Sequence, residues 1–404
     1  MIRKGFAVLV AMLIAEASFA AIVPNYLIVD GTIVTGYTGD IPANLDIPEG
    51  ITAIGKGAFL GCKKLMSVTI PSSVEIIGPE KFENEDDSPF FGCTSLKSVW
   101  IENGAYAIGQ GAFYGCTSLV EVSIPNSIKI IGACAFTGCS SLVSVTIPNS
   151  VTTIGDAAFS ECSSLTNITI PSSVELIGKQ AFAECTSLVN VSIPNSVTEI
   201  RMGAFYKCSS LKNVNIPHNV TEISASAFNG CVSLERITIP SNVTKIGGYA
   251  FCACESLVNI SIPSSVTEIG DGAFAVCKSL KSVAIPRSVT KIGDSAFTWC
   301  ESLEEVIIPN SVKKINKDTF HGCTSLINVS IPRSVSEIGN GAFSWCKSLT
   351  NVTIPSGVTS ISKDAFSLAP VKDVQYGGTK VQWKALKPHP SFKRGVVRCT
   401  DGTI

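Results

Sequence analysis

The chain has 404 residues, of which 45% are apolar and 16% are charged, and its formal net charge is −1. This near-neutral balance excludes recruitment of nucleic acid or of an anionic membrane by a global electrostatic field, since that requires a large excess of basic side chains. The apolar fraction is sufficient for a substantial core.

The first predicted element is a secretory signal peptide over residues 1–20. It has two basic residues, Arg3 and Lys4, then an apolar stretch over 6–15, then a small-x-small cleavage site that ends at Ala20. The stretch is short for a membrane helix, and no later segment has about 18 unbroken apolar residues, the length that such a helix needs. An uncleaved anchor is the alternative. We expect cleavage near Ala20 and a mature chain that is secreted or at the cell surface, without a transmembrane segment.

Residues 21–46 are predicted to form an N-terminal hairpin cap. Two runs of strand-forming residues, 26–29 and 32–35, flank Asp30-Gly31, a dipeptide typical of two-residue hairpin turns. A terminal hairpin suits the segment that follows, because an array of repeats needs ends that hide its core from water.

Residues 47–370 consist of about 14 copies of one 23-residue unit, with an eight-residue insert near residues 79–86 after the first copy. One phenylalanine per copy marks the period, and these residues are Phe59, Phe90, Phe113, Phe136, Phe159, Phe182, Phe205, Phe228, Phe251, Phe274, Phe297, Phe320, Phe343 and Phe366. The acidic run over 83–87 in the insert lacks the ordered spacing of a calcium loop and is interpreted as a solvated loop.

Each unit follows the pattern S-L-x-x-V-x-I-P-x-S-V-x-x-I-G-x-x-A-F-x-x-C. The alternating V-x-I part, for example Val191 and Ile193, predicts a short strand with two inward side chains. Pro194 then ends the strand, because proline has no amide proton for the ladder. Phe205 and Cys208 lie at the spacing of one face of a short helical turn. One such coil cannot cover its own apolar side chains, whereas a stack of coils can.

The predicted fold class is therefore a repeat solenoid, a right-handed coil of the leucine-rich-repeat type. It has a parallel β-sheet on one face and short helical turns or irregular segments on the other. The leucine-rich frame L-x-x-L-x-L is met, for example, by Leu119, Val122 and Ile124. The unit resembles the BspA-like leucine-rich repeats of bacterial and protist surface proteins over residues 47–366. That resemblance implies an adhesive, non-enzymatic surface protein, with partners that differ among family members.

Glycine is replaced in four units in the slot after the second isoleucine. A glycine-only backbone conformation is therefore not required there in every coil. The four replacements are Arg201, Ser224, Asn316 and Ser362.

Thirteen of the 16 cysteines occupy one slot of the unit, from Cys62 to Cys346. The slot is predicted to be interior, with free thiols acting as small apolar fillers and sporadic disulfides as the alternative. Cys252 lies outside this column and is the candidate for an exposed, reactive thiol. The three histidines, His218, His321 and His389, lie in variable slots or in the tail and are interpreted as structural. No catalytic motif, metal-binding spacing or cofactor site stands out from the repeat, so the chain is not expected to be an enzyme.

Residues 371–404 are predicted to be a basic C-terminal cap. Between Lys372 and Asp401 basic side chains exceed acidic ones by five. A solvated cap is the simpler interpretation, and contact with an anionic cell envelope is the alternative.

The side chains that alternate with the inward Val and Ile of each strand are predicted to face outward as a band of small, neutral polar groups. A purely structural role in the sheet is one interpretation, and a contact surface for an extended ligand is the other. The candidate ligand-binding residues on this band are Trp100, Thr146, Thr169, Asn190, Ser192, Asn213, Asn215, Thr238, Asn259 and Ser261. Two further slots of the unit each hold an aromatic residue in two coils: Tyr114 and Tyr206 in one slot, and Trp299 and Trp345 in the other. These side chains are candidates either for ligand contact or for packing.

The expected function is binding or adhesion to a protein or glycan ligand, such as host extracellular matrix or another cell surface. A passive structural or envelope spacer is the alternative, favoured by how little the units differ.

Overall fold

The structure is a computed structural model that describes residues 23–79, 81–387, 392 and 395–404. The predicted signal peptide and His389 lie outside the described residues. The chain divides into two compact units, Met1–Leu165 and Thr166–Ile404.

The first unit contains twelve described strands and one 3-10 helix, Glu85–Asp87. The strands are β1 Leu27–Asp30, β2 Ile33–Tyr37, β3 Asn44–Asp46, β4 Ala53–Ile54, β5 Ser67–Ile70, β6 Ile76–Ile77, β7 Ser98–Ile101, β8 Ala107–Ile108, β9 Glu121–Ser123, β10 Ile130–Ile131, β11 Ser144–Thr146 and β12 Thr153–Ile154. β1 and β2 form the expected antiparallel hairpin around Gly31.

The second unit continues with the same alternation of longer and two-residue strands. They are β13 Asn167–Thr169, β14 Leu176–Ile177, β15 Asn190–Ser192, β16 Glu199–Ile200, β17 Asn213–Asn215, β18 Glu222–Ile223, β19 Arg236–Thr238, β20 Lys245–Ile246, β21 Asn259–Ser261, β22 Glu268–Ile269, β23 Ser282–Ala284, β24 Lys291–Ile292, β25 Glu305–Ile307, β26 Lys314–Ile315, β27 Asn328–Ser330, β28 Glu337–Ile338, β29 Asn351–Ile354, β30 Ser360–Ile361 and β31 Asp373–Tyr376. Helix α1, Lys380–Ala385, and strands β32 Val396–Cys399 and β33 Gly402–Thr403 follow.

Each coil contributes one strand to each of two parallel sheets. In the second unit the longer strands pair from β13 to β25 and from β27 to β31. Partners are 23 residues apart, as Asn190 is from Asn213, except between β29 and β31, where Asn351 pairs with Asp373. The two-residue strands pair separately, as β18, β20, β22 and β24 do. The predicted leucine-rich-repeat solenoid is thus confirmed. The second, two-residue strand of each coil was not predicted from the sequence.

The motif P-x-S marks the turn between the two strands of a coil. Proline ends the first strand, and in several coils the serine hydroxyl then donates to a main-chain oxygen of the preceding coil. Ser288 does this to Val266 at 2.6 Å, and Ser334 does it to Val312 at 2.6 Å. In these coils the serine is therefore a link to the neighbouring coil, whereas the hydroxyls of Ser150 and Ser196 have no hydrogen-bond partner among the described residues.

The segment around the core phenylalanine is a run of turns in the described coils and contains no assigned helix. Its backbone is left-handed two residues before and two residues after the phenylalanine, for example at Ser226 (φ 56°) and Gly230 (φ 79°). Main-chain hydrogen bonds from these turns join the next coil, as from Phe228 N to Ala250 O at 2.9 Å.

The glycine of the I-G pair serves close approach between coils rather than a left-handed backbone. A Cβ on Gly270 would lie 2.6 Å from Gly248 N. Replacing this glycine by a larger residue therefore requires a local change in the packing of the coils. The two-residue sheet is interrupted between β16 and β18, the coils of Arg201 and Ser224, and between β24 and β26, where Asn316 follows.

Columns of identical residues fill the core. Phenylalanine rings stack between coils, for example Phe205 on Phe228 with centroids 5.6 Å apart and planes 2° apart. Tyr37 stacks on Phe59 in the first unit, and Phe392 packs edge-on against Phe366 in the second. These two contacts cover the exposed ends of the column, as terminal caps would.

The insert near 79–86 is more ordered than a solvated loop. The carboxylate of Asp87, which is 8% exposed, accepts hydrogen bonds from the main-chain NH groups of Glu83 and Asn84 at 2.8 and 3.4 Å. Lys56 lies 3.1 Å from the same carboxylate. The NH donor of Glu83 and the ammonium of Lys56 hold the pKa of Asp87 below its ordinary value. The carboxylate therefore fixes the loop rather than binding a metal.

Candidate ligand-binding face

The candidate site is the outward face of the longer strands, here called the strand face. Its strands show an exposed-buried-exposed pattern, as in β15, where Val191 is buried between two exposed polar residues. All ten candidate residues are exposed, as the alternation predicts: Trp100, Thr146, Thr169, Asn190, Ser192, Asn213, Asn215, Thr238, Asn259 and Ser261.

In the first unit the strand face carries one large aromatic side chain. Trp100 is 42% exposed and lies in register between Thr69 and Ser123 on the neighbouring strands. Thr146 lies two strands further, in β11. The small residues on both sides leave the indole accessible from solvent.

In the second unit five of the candidates line one shallow depression of about 390 Å³. They are Asn190, Ser192, Asn213, Asn215 and Thr238, and Arg236 adds a positive charge at its edge. The remaining candidates continue the same columns in register, with Thr169 next to Ser192 and Ser261 next to Thr238. Asn259 follows in β21.

Asn215 differs from its neighbours because both amide atoms of its side chain are used within the fold. Its Nδ2 donates to Ile193 O at 2.8 Å, and its Oδ1 accepts from Ile193 N at 3.2 Å. The side chain thus takes a place in the sheet ladder between β15 and β17. Asn215 is better explained as structural, which leaves Asn190, Ser192, Asn213 and Thr238 to face a ligand.

A larger groove, of about 1750 Å³, lies further along the strand face and was missed by sequence reasoning. It spans β25, β27, β29 and β31, where the sheet of longer strands is interrupted between β25 and β27. Six of the residues that line it are Glu305, Ile307, Ser330, Thr353, Asp373 and Gln375. Ile307 is 65% exposed, although its slot is polar in most coils.

The groove combines this apolar side chain with a connected polar edge. Asn351 Nδ2 donates to Asn328 Oδ1 at 2.7 Å, and Gln375 Nε2 donates to Asp373 Oδ1 at 3.3 Å. Arg398 lies 3.3 Å from the same carboxylate oxygen. These links hold the polar groups in place, so their remaining donors and acceptors point from a rigid surface.

The sequence signal for the groove is one atypical unit. The coil that carries Ile307 in the outward slot also carries Asn316 in the glycine slot, and both sheets are interrupted beside it. The two departures together mark a local change of packing, which neither residue indicates alone.

The cysteines offer no reactive centre. All 16 are free, and the 13 of the repeat slot are buried. Burial raises the pKa of Cys231 and of Cys300 to about 12. Cys252, the expected reactive thiol, is half-buried, and burial raises its pKa too, so its thiolate form is disfavoured at neutral pH.

Neither a cluster of metal-ligating side chains nor a membrane-spanning helix is found in the part of the chain that the structure describes. There, no three or more His, Cys, Asp or Glu side chains are grouped so as to hold a metal ion. No helix in those ranges combines the length and hydropathy of a membrane span.

Comparison with known proteins agrees with this geometry. Residues 41–87, 86–208, 175–303 and 267–384 match the family described as BspA type leucine-rich repeat region. A leucine-rich repeat protein from Bacteroides ovatus is 29% identical, with a TM-score of 0.54, over 82% of this chain and 93% of that one. A leucine-rich cell surface protein from Faecalibacterium prausnitzii is 28% identical, with a TM-score of 0.50, over 90% and 98%.

A comparison with curated proteins gives no match. The family match nevertheless extends over most of the chain, and its repeat is the coil seen in the structure. The chain therefore belongs to the BspA-type leucine-rich repeat family.

Proposed function

We propose that the protein is a secreted or cell-surface, non-enzymatic binding protein that presents its strand face to a protein or glycan ligand. One observation carries this proposal. The outward slots of the second unit line two recesses, the shallow depression at β15–β19 and the larger groove at β25–β31.

The chemistry of this surface suits an extended, weakly charged ligand. Asparagine, serine and threonine offer both donors and acceptors, and they do not carry the desolvation cost of a buried charge. Ile307 adds an exposed apolar contact at the β25 end of the groove. A polar surface with one apolar anchor is typical of a binding face.

Surface localisation is supported by two observations. The N-terminal pattern is that of a signal peptide, and the similar protein from Faecalibacterium prausnitzii is described as a cell surface protein. Mass spectrometry of the mature N-terminus tests this point, with cleavage after Ala20 expected and an intact Met1 in the cell-associated protein contradicting it.

The binding test uses immobilised extracellular-matrix proteins, mucins and oligosaccharides. We expect saturable binding to at least one of them. Lysine at Asn190 and Asn213 tests the depression, and lysine at Ser330 and Thr353 tests the groove. One of the two double variants should weaken binding at least tenfold.

The matched control is the double variant Thr267→Lys with Thr290→Lys, which places the same added charge on two exposed threonines beside the two-residue strands. Its binding should equal that of the unchanged chain. Equal weakening by this control, or full binding by both strand-face variants, would show that the strand face is not the site. An absence of binding to every probe would favour the spacer alternative, which the uniformity of the coils supports.

A further inference from the structure

Two exposed tryptophans lie outside the strand face, on the turn side of the second unit. Trp299 and Trp345 each follow a core phenylalanine by two residues, in coils separated by one other coil. They are 37% and 39% exposed. Their ring centroids are 6.4 Å apart, and the ring planes are inclined by 48°. The two indoles thus form an open, angled platform.

The coil between them shapes this platform. Its corresponding residue is Gly322, where an added Cβ would lie 2.6 Å from Cε3 of Trp299. The missing side chain lets the Trp299 ring lie over the backbone and approach Trp345. His321 packs edge-on against Trp299, with centroids 5.1 Å apart and planes at 79°. Three successive coils therefore contribute to one cluster.

Hydrogen bonding links His321 to the next coil. Ser344 Oγ lies 2.6 Å from His321 Nδ1 and donates to Gly341 O at 2.9 Å. In the tautomer that carries its proton on Nδ1, this nitrogen donates to Ser344 Oγ, and Nε2 is a hydrogen-bond acceptor. The carboxylate of Asp318 lies 4.0 Å from Nδ1 and adds a second acceptor beside the rings.

The backbone under both tryptophans is unfavourable for bulky residues. Trp299 has φ 55° and Trp345 has φ 59°, in the left-handed region, where six other coils have glycine in this slot. Six further coils have other non-glycine residues in this slot with the same left-handed backbone, for example Glu161 and Leu368, so the strain belongs to the slot rather than to the tryptophans.

One aromatic side chain in the turns of the first unit is partly covered by other rings. There Tyr114 packs against Phe82 of the insert and against Phe91, with centroids 5.4 and 5.7 Å apart. By contrast, Trp299 is 37% exposed and Trp345 is 39% exposed.

We propose that Trp299, Trp345, His321 and Asp318 bind one pyranose unit of a glycan. A pyranose ring has an apolar face of C–H groups, which can stack on an indole, and an edge of hydroxyls, which need hydrogen-bond acceptors. His321 Nε2 and the Asp318 carboxylate supply such acceptors. This site is separate from the strand face and does not depend on ligand binding there.

A neutral sugar fits better than a cationic ligand. The ammonium of Lys347 lies 5.3 Å from the centroid of the Trp345 ring, so this ring already faces a positive charge. A quaternary ammonium group would be repelled by Lys347, whereas a sugar hydroxyl would accept a hydrogen bond from it.

The test is a fluorescence titration of the full chain with trisaccharides of glucose, N-acetylglucosamine, mannose and galactose. At least one should give a saturable change in tryptophan emission and should slow oxidation of Trp299 and Trp345 by N-bromosuccinimide. Trp299→Gly and Trp345→Gly should each weaken this binding at least tenfold. Glycine is chosen because it suits the left-handed backbone and preserves the fold.

Two controls separate the site from general stickiness. Leu368→Gly removes an exposed apolar side chain from the same slot of the next coil, and Tyr249→Gly removes an exposed aromatic side chain from another left-handed position of the second unit. Both should bind the trisaccharide unchanged. Absence of a saturable response to all four sugars, or unchanged affinity in both tryptophan variants, would overturn the proposal. Tighter binding of choline than of any sugar would also overturn it.

Discussion

The thiol of Cys254 donates a hydrogen bond to the main-chain carbonyl oxygen of Phe228, with Sγ and O 3.3 Å apart. The same bond links the cysteine of most coils to the phenylalanine of the coil before it, as from Cys139 to Phe113 at 3.3 Å. The cysteine column is thus both a packing element and a set of donors. An apolar side chain of the same volume would fill the space but would donate no hydrogen bond.

Replacing Cys254 by alanine is expected to lower the free energy of unfolding by about 1–2 kcal/mol, since it removes both the buried sulfur and its hydrogen bond. The loss is limited because Phe228 O keeps the bond from Cys231 N at 3.2 Å. Denaturant titration followed by circular dichroism measures it. Cys252→Ala, at a half-buried cysteine two residues away, is the control and should change stability little. Equal effects of the two substitutions would contradict the donor role.

The buried thiols make the fold sensitive to alkaline pH. Burial raises the pKa of Cys231 to about 12, whereas an unfolded thiol has a pKa of about 8.5. Between these values the unfolded chain loses the proton and the folded chain keeps it. The stabilising contribution is therefore complete below about pH 8.5 and declines as pH rises, by about 1.4 kcal/mol per pH unit for each thiol.

This prediction is checked by the melting temperature between pH 8 and pH 11 for the unchanged chain and for Cys231→Ala. The variant should show a shallower decline, because one thiol no longer ionises on unfolding. Tyrosines and lysines titrate equally in both proteins, so they do not affect the comparison. Identical pH dependence of the two proteins would contradict it.

Gly270→Ala is expected to destabilise the second unit by about 2 kcal/mol, because the added Cβ would lie 2.6 Å from Gly248 N and the coils would have to move apart. Gly39→Ala is the control, since no heavy atom lies within 4 Å of the added carbon. Thermal unfolding measures both. If both substitutions have small effects, close approach is not the reason for glycine in this slot.

Glu161→Gly is expected to be more stable than Glu161→Ala by about 1 kcal/mol. Glu161 is exposed and has φ 60°, a left-handed conformation that glycine adopts at no steric cost and alanine does not. Because both variants remove the carboxylate, their difference isolates the backbone term. Denaturant titration of the two proteins provides the measurement, and a more stable alanine variant would contradict the prediction.

Sequence periodicity was sufficient to predict the coil, the inward columns and the outward slots. The 23-residue spacing fixes the register of the strand pairs between regular coils, and alternation then decides which side chain is buried. Val191 and Asn190 illustrate this, since one is buried and the other exposed as the pattern requires.

Other features depend on contacts between coils that periodicity does not encode. A two-residue strand such as β18 is too short for an alternation to be recognised. The amide of Asn215 is captured by the Ile193 backbone only because that backbone lies beside it in space. The groove requires the sheet interruption near Ile307, and the tryptophan platform requires the absent side chain of Gly322.

The link from a serine of P-x-S to the preceding coil, such as that from Ser288 to Val266, joins only adjacent coils. Removal or duplication of a whole 23-residue segment would therefore rejoin compatible surfaces and leave the remaining contacts as they were. Copy number can vary in such a gene while folding is preserved. Recognition, by contrast, would change with each coil lost, because the outward residues differ from one coil to the next.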